Sequence, residues 1–287
     1  MAKSTLGHKT PAQTYLNGEW WEGSPAVLAP NMQAMWLATV VFDGARSLRG
    51  HMADLDRHCV RVNASAQFLG MKPIYTAKEI ERLTREGVSR FPEEAELYIC
   101  PMYYAEGGFI TPDPDSTKFV LSIYEAPLPE PKGFLALRSS FRRPARDQAP
   151  TEAKASCLYP NVARSVLEAR QKGFDVGVIL DPAGNVAEFS YTNLFYAKNG
   201  VIHTPVINGT FLNGITRQRI IQLLRDDGIE VEERSIDYAE LLEADELFCT
   251  GNYSKVMPCV RLDTRALQPG PLYQRARHLY FGFSDEN

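Results

Sequence analysis

No run of eighteen or more apolar residues occurs in the chain, so a conventional membrane-spanning helix is excluded. The opening stretch MAKSTLGHKTPAQTYLNG holds no apolar core segment, and neither a secretory signal nor export by the usual route is expected. Cysteines are few, odd in number and far apart: Cys59, Cys100, Cys157, Cys249 and Cys259 form no CxxC pair. They read as reduced thiols of a cytoplasmic protein, with neither a disulfide framework nor a zinc site. The histidines (His8, His51, His58, His203, His278) never fall at a spacing such as HExxH, and no metal is expected. Positive charge is not in excess, since 31 Lys and Arg stand against 35 Asp and Glu, a net of −4 with both signs interspersed. That balance argues against a nucleic-acid partner. There is no GxSxG elbow, no GxGxxG or GxxxxGK[ST] loop, no internal repeat and no low-complexity tract, so an unrelated hydrolase finds no support.

What is present is a chain of 287 residues, enough for one large or two ordinary domains with a substantial core. Asn17-Gly18 between aromatic-rich flanks signals a hairpin. WLATVVFD (36 to 43), ELYICPMYY (96 to 104) and KFVLSIY (118 to 124) are rich in β-branched and aromatic residues and predict strands. Between them, residues 54 to 69 and 76 to 90 predict helices, the first closed by Gly70 and the second capped by Thr76. The stretch APLPEPKG (126 to 133) carries Pro127, Pro129 and Pro131, which suit neither a helix nor a central strand. It predicts a linker over 128 to 133, between a small N-terminal domain (1 to 127) and a larger second domain (134 to 287). In the second domain strands alternate with helices. Pro160 opens a helix that Gly173 closes, VGVIL (176 to 180) is a buried strand, and DPAGN (181 to 185) is a turn. A second hairpin surrounds Asn199-Gly200. Thr216 is expected to cap a helix with apolar face Ile220, Leu223 and Leu224, ending at Gly228 before strand IEVEE. A short helix near 238 to 243 and strand ELFCT (246 to 250) follow.

Four stretches carry chemistry. In EAKASCLYP (152 to 160), Lys154 stands among Ala153, Ala155, Ser156 and Cys157, with Tyr159 five positions on. Such a lysine is either solvated or held for its amine. In GITRQRIIQLL (214 to 224), Gly214 allows close backbone approach, and the Ile215 and Thr216 amides lie at the positive end of a helix, where a phosphate is favoured; Thr216 could equally be an ordinary cap. In AEFSYTNLF (187 to 195), Glu188 is a solvated strand-end residue or a carboxylate held against a cation. TGNYSK (250 to 255) is a surface turn or a second anion-binding loop.

Lys154 and Tyr159, Glu188 with Asn193-Leu194-Phe195, Gly214-Ile215-Thr216 and Gly251 occur in an order that resembles the class IV pyridoxal-phosphate (PLP) enzymes, most closely branched-chain amino acid aminotransferases. VVFDGAR (40 to 46) is similar to that family's VFEGIR, and HCVRVNASA (58 to 66) to its HxxRLxxSA, so the resemblance covers about residues 15 to 280. It implies a two-domain α+β or α/β chain of PLP fold type IV, shared with D-amino acid aminotransferases: a small N-terminal α/β domain and a larger, barrel-like α/β domain. It further implies PLP as cofactor, a small-molecule amino donor, a 2-oxo acid acceptor, and a homodimer with the active site at the domain interface. The family's Schiff-base lysine, which also moves the substrate proton, maps onto Lys154. Glu188 maps onto the partner of the ring nitrogen, and Tyr159 onto the phenol at the ring oxygen. Arg61 maps onto the phosphate-binding arginine, acting with Gly214, Ile215 and Thr216. Asn193, Gly251 and Asn252 complete the cofactor-binding set that the resemblance implies.

The substrate-side positions depart from the family. Its YIRP segment appears as YICP, so Cys100 replaces an arginine near the substrate carboxylate. Its GTA-like loop appears as Gly251-Asn252-Tyr253, and a tyrosine upstream of VFEGIR appears as Leu37. Phe42 and Gly44 keep the branched-chain pattern. Leu37, Phe42, Tyr98, Cys100 and Tyr253 are therefore the candidate substrate residues. The expected reaction is transamination of a branched-chain or related amino acid. The alternatives are an (R)-selective amine transaminase acting on amines without an α-carboxylate, an aminodeoxychorismate-lyase-like enzyme, and a catalytically silent PLP-binding protein.

Overall fold

The computed structural model describes residues 10–286, so the N-terminal reading of residues 1 to 9, His8 included, lies outside the described residues. The chain divides into two compact units. The first runs to Leu128 and takes in Ala153–Cys157 and the stretch from Ser284; the second holds Pro129–Glu152 and Leu158–Phe283. Residues 126–131 form neither helix nor strand, as their prolines require. The start of this stretch is tied to the first unit, because Ala126 N donates to Glu96 O and Leu128 N donates to the Glu96 carboxylate. The segment with Lys154 groups with the first unit, although sequence order places it in the second.

The first unit is an antiparallel sheet with two helices. Its elements are β1 (Ala12–Leu16), β2 (Glu19–Glu22), α1 (Gln33–Leu37), β3 (Val40–Phe42), β4 (Ala45–Leu48), α2 (Leu55–Phe68), α3 (Ala77–Val88), β5 (Glu96–Ala105) and β6 (Thr117–Glu125). The hairpin β1–β2 turns on Asn17 and Gly18 at φ 53° and 88°, the left-handed pair that a two-residue turn needs. The strand order is β2-β1-β6-β5-β3, with β4 also on β5. Strand β5 is long enough to pair β4 along its first half (Ala45 opposite Ile99) and β3 along its second (Phe42 opposite Met102). Asp43 and Gly44 therefore sit at the break between two strands that share one neighbour. Helix α2 buries Cys59, Val62 and Ala66 completely, and α3 begins with a Thr76–Glu79 capping box.

One expectation fails here. Residues 36 to 43 are not one strand: Trp36 and Leu37 end the short helix α1, Ala38 takes φ 59°, and only Val40–Phe42 is extended. Packing overrides β-propensity, since Gln33 N donates to Glu106 O and Ala34 is buried in a cluster with Leu16, Tyr104 and Val120.

The second unit comprises β7 (Phe134–Arg142), α4 (Tyr159–Gln171), β8 (Val176–Leu180), β9 (Val186–Phe189), β10 (Asn193–Lys198), β11 (Val201–Pro205), α5 (Ile215–Asp226), β12 (Val231–Arg234), α6 (Tyr238–Leu241), β13 (Glu246–Gly251), β14 (Lys255–Leu262), β15 (Arg265–Ala266) and α7 (Pro271–Glu286). Its mixed sheet runs β12-β11-β10-β13-β14-β7-β8-β9, with β15 beside β14. Because residues 190–192 join β9 tightly to β10, where Phe189 N donates to Thr192 O, the sheet curls back on itself as a half-barrel. Phe195, Phe248 and Tyr273 pack with Ile220, Ile221 and Leu224 of α5 in one core; Ile221 takes the buried place expected of Leu223. The cap of α5 is Gly214, which leaves Thr216 inside the first turn. Strand β14 and helix α7 lie beyond the last element read from the sequence. Tyr273, Ala276 and Tyr280 of α7 form a buried stripe at helical spacing.

Candidate active site

In the first unit, the backbone around Lys154 is fixed at three points. Phe42 N donates to Lys154 O at 3.1 Å, Lys154 N donates to Ser65 Oγ at 3.1 Å, and Ala155 forms an antiparallel bridge with Val41. Ala153 and Ala155 are fully buried, so the alternation of an extended segment sends the Lys154 side chain to the other face. There its Nζ stands 4.6 Å from the centre of the Phe42 ring. The small residues beside Lys154 are small because the segment lies against β3 and α2.

The same helix face that carries Ser65 also carries His58 and Arg61, at i, i+3 and i+7. Both reach Asp43. Arg61 donates through Nε at 2.7 Å and NH2 at 2.8 Å, and the His58 Nδ1 lies 2.7 Å from Asp43 Oδ1. Asp43 is wholly buried, and its Oδ1 also accepts from Gly44 N. Burial would raise its pKa, but the charges and hydrogen bonds of Arg61 and His58 prevail and hold it well below the usual carboxylate range. Arg61 is thereby locked in one direction with its side chain still partly open.

On β5, Tyr98 stacks on Tyr124 with ring centres 5.4 Å apart, and the buried Arg46 lies over Tyr98 while donating to Ala126 O. Cys100 lies two residues on. Burial pushes its thiol up to about 12, against the opposing charge of Lys154, so it stays uncharged near neutrality. Leu37 is exposed at the end of α1.

In the second unit, Glu188 of β9 is almost fully buried and forms an ion pair with Arg143. Its other oxygen accepts from Asn193 Nδ2 at 3.3 Å. Asn193 also donates to Leu212 O at 3.0 Å, which ties the carboxylate to the loop leading into α5. A Cβ at Gly214 would fall 2.1 Å from Asn193 Oδ1, so any larger residue there must displace the Asn193 side chain. No side chain caps α5, and Ile215 and Thr216 are buried at its first turn. Tyr159 is the first residue of α4 and half-buried. Gly251 ends β13, and Asn252 and Tyr253 lie in the turn to β14; Gly251 lies close against Thr192, Asn252 Oδ1 accepts from the buried Lys255, and Tyr253 is exposed. Within the first unit the fold brings together Lys154, Phe42, Arg61 and Cys100. Within the second it brings together Glu188, Asn193 and Gly214. Asp43, His58, Arg143 and Lys255 were not singled out in the sequence. Asp43 and His58 carried a signal through their place in VVFDGAR and HCVRVNASA, and Lys255 through its place in TGNYSK; Arg143 carried none.

A family model described as Amino-transferase class IV matches residues 40–262. The chain is a class IV aminotransferase. Among curated relatives, a probable branched-chain-amino-acid aminotransferase of Aquifex aeolicus is 33% identical over 85% of this chain and 83% of its own. The branched-chain-amino-acid aminotransferase of Salmonella typhimurium is 29% identical over 93% of this chain and 91% of its own. Among solved structures, an aminotransferase from Brucella abortus bound to PLP is 47% identical with a TM-score of 0.95, covering 96% of this chain and 99% of that one. A branched-chain aminotransferase from Thermoproteus uzoniensis with norvaline is 29% identical with a TM-score of 0.88, covering 96% of this chain and 95% of that one. This class IV chain thus has the two-unit, half-barrel fold of aminotransferases of fold type IV.

Proposed function

We propose that this aminotransferase uses PLP to move an amino group between a branched-chain or related amino acid and a 2-oxo acid, with Lys154 as the catalytic amine. The observation that carries this reading is the clamped Lys154 segment, which fixes a half-buried amine beside Phe42. The residues fit the cofactor. The uncapped first turn of α5, with a glycine where a Cβ would clash, suits a phosphate, and the buried Glu188 suits a protonated ring nitrogen. When bound, PLP supplies an aldehyde carbon for the amino group and an electron-withdrawing ring.

Each residue then has a task. Lys154 would hold the cofactor through its amine and would serve as the base for the proton at substrate Cα. Arg61, oriented by Asp43, binds phosphate with the Gly214, Ile215 and Thr216 backbone and the Thr216 hydroxyl. Glu188, steadied by Asn193, holds the proton at the ring nitrogen. Tyr159 would donate to the ring oxygen, and Gly251 and Asn252 would complete the phosphate loop. Phe42, Tyr98, Cys100, Leu37 and Tyr253 contact substrate. The purified protein should be yellow, K154A should bleach it, and L-leucine should convert the bound cofactor to its amine form. A colourless protein that takes up no PLP overturns the reading.

Cys100 favours one second reading. An uncharged thiol stands where a cation would meet a carboxylate, which suits donors lacking one, as in an (R)-selective amine transaminase. Faster conversion by (R)-1-phenylethylamine than by L-leucine would select it. We further propose a homodimer, supported by the exposed Met35, Trp36, Phe109 and Ile110 of the first unit and tested by light scattering. No helix among the described residues is long and apolar enough to cross a membrane. A cytoplasmic location is supported by the five free thiols, Cys157 exposed among them.

A further inference from the structure

Arg143 is the residue whose placement the proposed roles leave unexplained. It follows β7, its N–H donates to Leu180 O at 2.9 Å, and Pro144 after it disfavours a helical backbone there. Glu188 stands on β9, opposite Ile179 of β8. The Arg143 side chain therefore crosses from the line of β7 over β8 to β9, roughly two strand spacings of about 4.8 Å each, a reach that only a long side chain has. At its end it meets the Glu188 carboxylate, both partners being nearly buried.

A buried guanidinium ordinarily satisfies its donors, because a buried N–H without an acceptor is costly. Among the described residues the buried Arg143 Nε–H has no hydrogen-bond partner, a feature shared with Arg261 Nε and Arg265 NH1. The side chain accepts that cost while its NH2 meets one oxygen of Glu188, and Asn193 takes the other oxygen. The carboxylate is thus gripped on both sides in one orientation, with a cation on one of them.

The geometry points to Arg143 as the positioning residue that keeps Glu188 ionised and aimed, so that the shared proton stays on the ring nitrogen of the cofactor rather than on Glu188. This rests on the reading of Glu188 as the ring-nitrogen partner. The physical reason is proximity. A proton on Glu188 would lie next to the guanidinium and leave that buried charge unpaired, whereas a proton on the ring nitrogen lies one group further away. Removing the cation raises the proton affinity of the carboxylate more than that of the ring, and the proton transfers to Glu188.

The test uses holoenzyme loaded with PLP carrying 15N in its ring, whose nitrogen signal reports protonation directly. Wild type should show the protonated signal, and R143Q should show the unprotonated one, as should E188Q. The dissociation constant for PLP should rise at least tenfold in R143Q. A protonated signal retained in folded R143Q, with only thermal stability lost, overturns the proposal and leaves Arg143 a structural residue. Should R143Q not fold, R143K decides: its shorter side chain draws the cation back from Glu188, and the ring-nitrogen signal at neutral pH should move part of the way toward the unprotonated one. A ring-nitrogen signal in R143K identical to wild type overturns the proposal. A wild-type protein that takes up no labelled cofactor would instead overturn the reading of Glu188, and this assignment with it.

Discussion

Asp43 and Arg61 face each other across the gap between β3 and α2, joined by Nε–Oδ2 at 2.7 Å and NH2–Oδ1 at 2.8 Å. The bidentate pair, with His58 on the same carboxylate, fixes a cation that would otherwise sweep through many rotamers. Replacing Asp43 by Asn keeps the shape and removes the charge. D43N should weaken PLP binding, read by equilibrium dialysis, and lower stability by about 3 kcal/mol because Arg61 and His58 lose their buried counter-charge. Unchanged affinity would separate Asp43 from the phosphate role.

The same carboxylate predicts a pH dependence. Its folded pKa lies below the ordinary value near 3.9, so unfolding takes up a proton there. The contribution to stability is full above about pH 4 and is lost as pH falls from there toward the folded value. Denaturant midpoints of wild type and D43N should therefore differ at pH 7 and converge below about pH 4. A constant gap down to the acid limit would contradict the assignment.

Ser65 holds the Lys154 backbone rather than its amine. S65A leaves a buried N–H without its acceptor and should cost about 1–3 kcal/mol. Because the lysine segment loosens, kcat should fall while KM for the donor changes little, read by steady-state kinetics on both proteins.

Gly214 is tested by adding one methyl group. Its φ of −59° is ordinary for any residue, so the G214A substitution acts through the clash with Asn193 Oδ1 alone. Displacing Asn193 should loosen both Glu188 and the loop before α5, with a loss of about 1–3 kcal/mol in thermal unfolding and weaker PLP retention. Full retention of cofactor on gel filtration would show that the loop yields without harm.

Cys100 bears on the substrate. C100R would restore a cation two residues from Tyr98 and should raise kcat/KM for L-leucine relative to (R)-1-phenylethylamine. A ratio unchanged between the two proteins would move substrate choice away from β5.

The turns and the punctuation were legible because they depend on single residues. Asn17-Gly18 and Asn199-Gly200 fall on left-handed φ values, and the proline-rich stretch at 126–133 leaves the regular structure. The end of α2 near Gly70 and the capping box of α3 were readable for the same local reason. The break at Ala38 was not, since it answers to the burial of Ala34, and neither was α7, whose stripe spans residues that look unremarkable in a line.

By itself the sequence determined the family, through motifs whose residue types and order carry chemistry wherever they fold: a lysine among small residues, a lone carboxylate, a glycine before a helix. It could not show what grips those groups. Asp43 meets Arg61 because β3 and α2 bring together positions eighteen residues apart, and Arg143 meets Glu188 across a strand and forty-five residues of chain. A pairing of charges over such separations leaves no periodicity to read, and only the tertiary structure decides it, by burying the carboxylates of Asp43 and Glu188 where water cannot satisfy them.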